Sequence, residues 1–264
     1  MSQKRTGHKG SPRRQHDRPS RPLHGDEGPE LLFGSHSAVA ALANPRRRIR
    51  RVLVTRNAAE RHAAALSLAP TLVPEIVEAR LLDRLTGPDA VHQGILVEAD
   101  PLPQPRLDQI ERQGPLVMLD QVTDPHNVGA ILRSCGAFGV RALVTTARHS
   151  PTGSAVLSKA ASGALEHVPF VKVTNLSRAM DELKTYGFRI IGLDSAAEMP
   201  IELAARPGLP TALVLGAEGK GLRRLTRDTC DALARLDLPG PLHSLNVSIA
   251  CALGLYALAQ ASAR

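Results

Sequence analysis

The 264-residue chain has no tryptophan, two tyrosines and four phenylalanines. That is too little ring surface for the stacking platforms on which single-strand-binding proteins lay successive bases. Its three cysteines, Cys135, Cys230 and Cys251, are odd in number, widely spaced and without a C-x-x-C pair. They argue against a disulfide framework and a structural zinc, and read as small buried residues of a reducing compartment. Long apolar runs are also missing. The longest candidate, Leu245 to Ala259, is too short to span a bilayer and is broken by Asn246 and Ser248, so a soluble protein with no membrane partner is expected. Ahead of Leu31 the one sizeable apolar residue is Leu23. No hydrophobic region of signal-peptide kind is expected there, and the expected location is cytoplasmic.

Positive charge, by contrast, is plentiful. Thirty-three Lys and Arg face 25 Asp and Glu, a formal net charge of +8, which makes a polyanion the leading partner. The charge is clustered. Residues 1–28 hold Lys4, Arg5, Lys9, Arg13, Arg14, Arg18 and Arg21 against Asp17, Asp26 and Glu27, and Arg46-Arg47-Arg48-Ile49-Arg50-Arg51 places five guanidiniums in six positions. Like charges at such density point to nucleic-acid phosphates, contacts that supply affinity rather than sequence choice; a solvated charged face is the plainer reading.

Residues 1–28 are rich in Pro, Gly, Ser, Arg and His without periodicity and are expected to form a disordered basic tail. A small α/β unit follows over 29–100. Leu31, Leu32, Val39 and Leu42 suggest a helix, Val52-Leu53-Val54 a buried strand, Asn57 to Leu68 a helix capped by Asn57, and then come Leu72-Val73, a helix near Glu78 to Leu85 and a strand at Gly94 to Glu98. Pro101, Pro103 and Pro105 stiffen a linker over 101–113. From 114 to 264 strand and helix alternate more plainly. Strands are expected at Leu116–Asp120, Ala142–Thr146, Pro169–Val173, Arg189–Leu193, Ala212–Leu215 and Leu233–Leu238. Helices are expected at about 127–138, 153–164, 176–186 and 221–230, two of them ended by Gly139 and Gly187. This alternation means a parallel α/β sheet, whose ligands gather at the carboxyl ends of strands. The last helix, Val247 to Ala261, carries Val247, Ala250, Cys251, Gly254, Leu255 and Leu258 on one stripe, which suits either the core or a subunit interface.

Three junctions carry candidate chemistry. In the first, Leu119 to Arg133, Asn127 is placed to cap a helix. Gly129 and Arg133 are four apart, so Arg133 is expected over space that Gly129 leaves empty, near the positive end of the helix dipole. An anion or alkoxide site would result; a capping Asn and a surface Arg are the plainer reading. The second, Leu213 to Leu222, runs a buried strand into a loop containing Gly216, Gly219 and Gly221. It is neither a Walker A nor a dinucleotide loop, and a simple turn would also explain it. The third, His243-Ser244-Leu245-Asn246-Val247-Ser248, precedes the last helix, where Ser244 or Asn246 can serve as cap.

In order and spacing, Asn127-x-Gly129-x-x-x-Arg133, Leu215-Gly216-Ala217-Glu218-Gly219 and Ser244-Leu245-Asn246-Val247-Ser248 resemble the three motifs of the SpoU (TrmH-like) branch of the SPOUT RNA methyltransferases. Phe33 to Val39 and Val91 to Ile95 resemble that family's small, ribosomal-protein-L30e-like substrate-binding domain. The likeness covers all but the tail and linker, and is strongest to bacterial 23S rRNA guanosine 2′-O-ribose methyltransferases. It implies a C-terminal domain with a deep trefoil knot, an exception to the rule against threaded chains, S-adenosyl-L-methionine as methyl donor with no metal, a homodimer with the active site at its interface, and RNA as partner. By position it implies Gly216, Leu236 and Leu245 as donor contacts, and Asn127, Arg133, Glu218, Ser244 and Asn246 as catalytic and RNA-facing residues. Leu236-Asp237-Leu238 stands where relatives commonly have Ile-Pro-Met, so Asp237 adds a charge near the donor pocket.

A ribose 2′-hydroxyl is a poor nucleophile, and its methylation needs in-line positioning and help with the departing proton. The family's proposed activator is Arg133. A guanidinium does not deprotonate in proteins, so an electrostatic role on substrate phosphate and developing alkoxide is the expectation. Asn127, Ser244 and Asn246 would orient the ribose, and Glu218 would steady Arg133 or the glycine loop. The alternatives are a tRNA 2′-O-methyltransferase and a non-catalytic RNA-binding ribosome-assembly factor. A nicotinamide enzyme is disfavoured by the missing G-x-G-x-x-G turn.

Overall fold

The computed structural model describes residues 28–264 except 88–89, 150–156, 158–159, 207, 243 and 263–264. The expected tail thus lies almost wholly outside the described residues. The N-terminal unit runs β1 (Glu30–Phe33), α1 (Ser35–Ala43), β2 (Ile49–Val54), α2 (Arg56–Arg61), α3 (Ala63–Leu66), β3 (Glu75–Ile76), α4 (Ala79–Thr86) and β4 (Ile95–Ala99). Its sheet has the order β1-β4-β2-β3, antiparallel except where β3 joins β2. The helix expected to begin at Leu31 is corrected here. Leu31 and Leu32 pair with Glu98 and Val97 as an edge strand, and the helix begins after Gly34, whose φ of 81° makes the corner. The helix over Asn57 to Leu68 divides at His62, and Thr55 rather than Asn57 stands at its N-cap.

In the C-terminal unit the described residues form β5 (Leu116–Asp120), α5 (Pro125–Ala137), β6 (Leu143–Thr146), β7 (Phe170–Val173), α6 (Leu176–Thr185), β8 (Arg189–Leu193), β9 (Met199–Pro200), α7 (Ile201–Ala204), β10 (Thr211–Gly216), α8 (Arg224–Thr229), β11 (Ala232–Arg235) and α9 (Val247–Ser262). The strands lie in the order β7-β6-β5-β10-β8-β11-β9, and every pairing is parallel. Alternate side chains of the central strands divide between two cores. Val117, Leu119, Leu143, Leu213 and Leu215 face α5 and α9, while Leu116, Met118, Val144, Ala212 and Val214 face α6. The expected stripe on the last helix is core: Val247, Cys251, Leu255 and Leu258 are all buried. Gly139 and Gly187, at φ 63° and 90°, follow α5 and α6 as the left-handed residues expected there. Of the helix expected over 153–164, residues 157, 160 and 161 are helical and 153–156 and 158–159 fall outside the described set.

The arginine block finds carboxylates within the chain. Arg50 pairs with Asp100 at 2.5 Å and Arg51 with Glu75 at 3.2 Å. Arg47 is buried, in contact with Glu30 and Glu166 at 2.7 Å each. Burial alone lowers its pKa, and the two carboxylates reverse that and leave it above the ordinary arginine value. Much of the block therefore meets carboxylates of this chain. Among the described residues no helix is long and apolar enough to cross a membrane.

Candidate active site

Strands β5 and β10 are neighbours in register, with Asp120 beside Gly216, so the loops that leave them share one edge of the sheet. Asp124, rather than Asn127, caps α5: its carboxylate accepts the His126 N–H at 3.0 Å, and Pro125 fills the first helical position. That capping leaves the Asn127 amide free to reach across the sheet edge. At the other end of the chain Asn246 caps α9, with Oδ1 accepting from the Ser248 N–H at 2.9 Å and its hydroxyl at 2.6 Å.

The three junctions converge on one carboxylate oxygen. Glu218 Oε1 accepts from Asn127 Nδ2 (3.2 Å), Asn246 Nδ2 (2.5 Å) and the Val247 N–H (3.3 Å), and Asn246 Nδ2 also donates to Asn127 Oδ1 at 2.9 Å. A carboxylate oxygen that gathers three donors fixes the orientation of both amides. Glu218 therefore steadies the two asparagines rather than Arg133. Arg133 stands apart on the exposed side of α5, with no hydrogen bond or ion pair among the described residues. Nor is there empty space over Gly129: a Cβ there would lie 2.3 Å from the Ala160 Cβ, so the glycine serves close packing.

Beside this cluster a cleft of ≈ 350 Å³ is lined by Gly216, Glu218, Leu236, Leu238, Ser244 and Leu245, among others. Its floor is leucine and backbone, and the Ala217–Gly221 bridge turns the glycine loop back on itself. Gly216 has no room for a side chain, since a Cβ would lie 2.1 Å from the carbonyl carbon of Gly221. The expected strand Leu233–Leu238 is corrected to end at Arg235, which releases Leu236 and Leu238 to line the cleft. Asp237 does not line this cleft but the cavity adjoining it, which shares Ser195, Leu236 and Leu238, and there its carboxylate accepts from Arg235 Nε at 2.8 Å. Leucine side chains beside the glycine loop make a lining that fits a nucleoside-bearing sulfonium such as S-adenosyl-L-methionine.

Sequence reasoning passed over two features. Leu193, Asp194 and Ser195 also line the cleft, and the rule that ligands gather at the carboxyl ends of parallel strands points to them at the end of β8. The fully buried Asp120 accepts from the backbone N–H and Nε of Arg223, at 2.9 and 2.6 Å. The signal was an acid ending an otherwise apolar strand.

The SpoU rRNA Methylase family matches residues 114–256, and a second family, described as RNA 2′-O ribose methyltransferase substrate binding, matches residues 31–105. The chain belongs to the SpoU rRNA methylase family. This SpoU methylase is 38% identical over 237 residues to the 23S rRNA (guanosine-2′-O-)-methyltransferase RlmB of Ralstonia nicotianae, covering 86% of this chain and 94% of that protein. The RlmB of Coxiella burnetii is likewise 38% identical, over 233 residues that cover 85% and 93%. A crystal structure of the SpoU methyltransferase AviRb from Streptomyces viridochromogenes, in complex with AdoMet, superposes with a TM-score of 0.73 at 24% identity, covering 88% of this chain and 90% of that one. The SpoU methylase is thus an RNA 2′-O-ribose methyltransferase dependent on S-adenosyl-L-methionine, and the reading as a non-catalytic assembly factor falls away.

Proposed function

We propose that the protein methylates the ribose 2′-hydroxyl of a guanosine in 23S rRNA. The Glu218 hub carries the reading, because it draws all three junctions to the rim of a cleft fit for the donor. The long match to RlmB proteins, small domain included, favours rRNA over tRNA. Bound in the cleft, S-adenosyl-L-methionine supplies an electrophilic methyl. Gly216, Leu236 and Leu245 hold it, largely through backbone and apolar contact. Asn127, whose amide keeps one proton and one oxygen lone pair uncommitted, presents them to the ribose; Asn246, its amide engaged by Glu218, Asn127 and Ser248, holds Asn127 in place, and Ser244 at the rim adds a hydroxyl. Arg133, a guanidinium without an ion-pair partner among the described residues, grips substrate phosphate and stabilises the developing alkoxide.

Residues 29–100 act as an L30e-like RNA-binding domain, 101–113 as linker and 114–264 as a methyltransferase domain with a deep trefoil knot. The active unit is a homodimer in the bacterial cytoplasm. Supporting this, Ile249, Leu253 and Tyr256 are 51%, 42% and 55% exposed and lie at i, i+4 and i+7 on α9, an apolar stripe beside the active site suited to self-association.

The experiment is transfer of labelled methyl from S-adenosyl-L-methionine to unmodified 23S rRNA and, separately, to unmodified tRNA, with nucleoside identification and Arg133→Ala as control. A 2′-O-methylguanosine in 23S rRNA alone is expected. Labelling of tRNA alone overturns the substrate, and near-normal turnover by Arg133→Ala overturns that residue's role.

A further inference from the structure

Glu166 is the point at which the two units grip one another. It sits on a single helical turn, Ala164–Glu166, of the C-terminal unit, and its side chain is 2% exposed. Three side chains of the N-terminal unit, all within four positions, reach it. Arg47 gives Nη2 to Oε1 at 2.7 Å and Nε to both carboxylate oxygens at 3.1 Å; Asn44 Nδ2 donates to Oε2 at 2.7 Å; Arg46 Nη2 donates to the main-chain carbonyl at 3.1 Å. The far side of the Arg47 guanidinium is held within its own unit, by Glu30 Oε2 at 2.7 Å and the Asp100 carbonyl at 2.8 Å. A planar guanidinium bound along two edges fixes orientation as well as distance.

The segment leading to Glu166 has no slack. At Gly163 (φ 84°) a Cβ would lie 2.8 Å from Ala40 Cβ and 3.1 Å from the His36 carbonyl, both on α1. Three residues earlier, Ala160 fills the space over Gly129 on α5. Close-packed backbone therefore runs from α1, through 160–166, to the helix that bears Asn127 and Arg133. Packed cores shift as units rather than deforming continuously.

We propose that the Arg47–Glu166 cluster is a positioning device for methyl transfer, fixing the RNA-binding unit against α5 so that a bound RNA presents its ribose to the donor cleft. This rests on the function proposed above. Two binding units joined by a linker gain from one another only when their mutual geometry suits a single ligand, and small displacements of a reacting group are costly.

The test turns on sign. Glu166→Gln removes a negative charge and keeps the side-chain size. If the arginines served merely as phosphate grips, RNA would bind more tightly. The expected result is instead a fall in kcat/KM for the 23S rRNA substrate of about ten- to a hundredfold, with S-adenosyl-L-methionine affinity unchanged by titration calorimetry and small-angle X-ray scattering showing a wider spread of unit orientations. Asn44→Ala, which trims one donor and leaves the ion pair, is expected to give a smaller fall of the same kind and serves if Glu166→Gln does not fold. Unchanged or improved kcat/KM for RNA, or a scattering profile identical to the parent in both variants, overturns the proposal. Absence of methyl transfer to any RNA by the parent protein would instead fault the function proposed above, and the scattering comparison would still decide whether the cluster holds the two units.

Discussion

Arg223 folds back onto Asp120, its Nε 2.6 Å from Oδ1 and its backbone N–H 2.9 Å from Oδ2. The aspartate ends β5 and is wholly buried, while the arginine side chain is 46% exposed. The pair pins the far end of the glycine loop, and the entry to α8, beneath the start of the first catalytic junction. Arg223→Met leaves a buried carboxylate with one backbone partner and should cost about 3 kcal/mol in urea unfolding. Asp120→Asn removes the charge and leaves the arginine to water, and should cost about 1 kcal/mol. Both should raise the KM for S-adenosyl-L-methionine; equal costs would mean that the buried charge is not the determining term.

The shared acceptor at Glu218 predicts coupling. Glu218→Gln keeps the shape and an accepting oxygen but removes the negative charge that strengthens all three bonds, and kcat should fall by about a hundredfold, the scale of losing a preorganised polar group in an active site. Asn246→Ala should cost a similar factor, and the double variant little more than either alone, because all three groups act as one unit. Multiplicative losses in single-turnover kinetics would refute the hub.

Two glycines of the donor loop should behave differently. At Gly216 a Cβ meets backbone at 2.1 Å, so Gly216→Ala must displace the loop and should abolish measurable donor binding. Gly219 lies at φ 74° with nothing within 4 Å, so Gly219→Ala should carry left-handed strain of about 1 kcal/mol with donor affinity nearly kept. Isothermal titration of the two variants compares them directly.

The N-terminal unit should lose stability in mild acid. His62 is buried beside α1, sharing a 3.2 Å hydrogen bond with Ser35 Oγ. Burial, then the neighbouring Arg61 charge, lowers its pKa below the ordinary 6.5. The unfolded chain therefore binds a proton more readily than the folded one, and stability present above pH 6.5 declines as pH falls through the folded value. Denaturant unfolding of His62→Gln should lack this part of the acid-side decline; a pH profile that superposes on the parent's would count against it.

Much of the large unit was legible because its strands are short apolar runs bounded by turn residues, a local pattern that buried parallel strands impose. The site motifs could be read for a related reason, since each lies where such a strand gives way to a loop or where a helix begins. Errors came where a competing partner lay far off in sequence. Leu31 and Leu32 have helical spacing with Val39 and Leu42, but β4 claims them as an edge strand. Asn127 has the chemistry of a cap, but Asp124 takes that place and leaves it for Glu218. The 46–51 run has the look of a phosphate grip, yet Asp100, Glu75 and Glu166 answer three of its charges.

The sequence by itself determined the alternation of elements, the parallel sheet and the three junctions at which chemistry is placed, because propensity, capping and apolar periodicity act over a few residues. Only the tertiary structure decided which arginines of the 46–51 run meet carboxylates, how the two asparagine amides are engaged, and that Glu218 rather than Arg133 knits the three junctions together. Those outcomes depend on which groups meet across long stretches of chain, from Arg51 and Glu75 at a separation of 24 to Asn127 and Glu218 at 91 and Arg47 and Glu166 at 119. Where such groups are buried, as Arg47 and Glu166 are, they must find partners or pay the cost of desolvation.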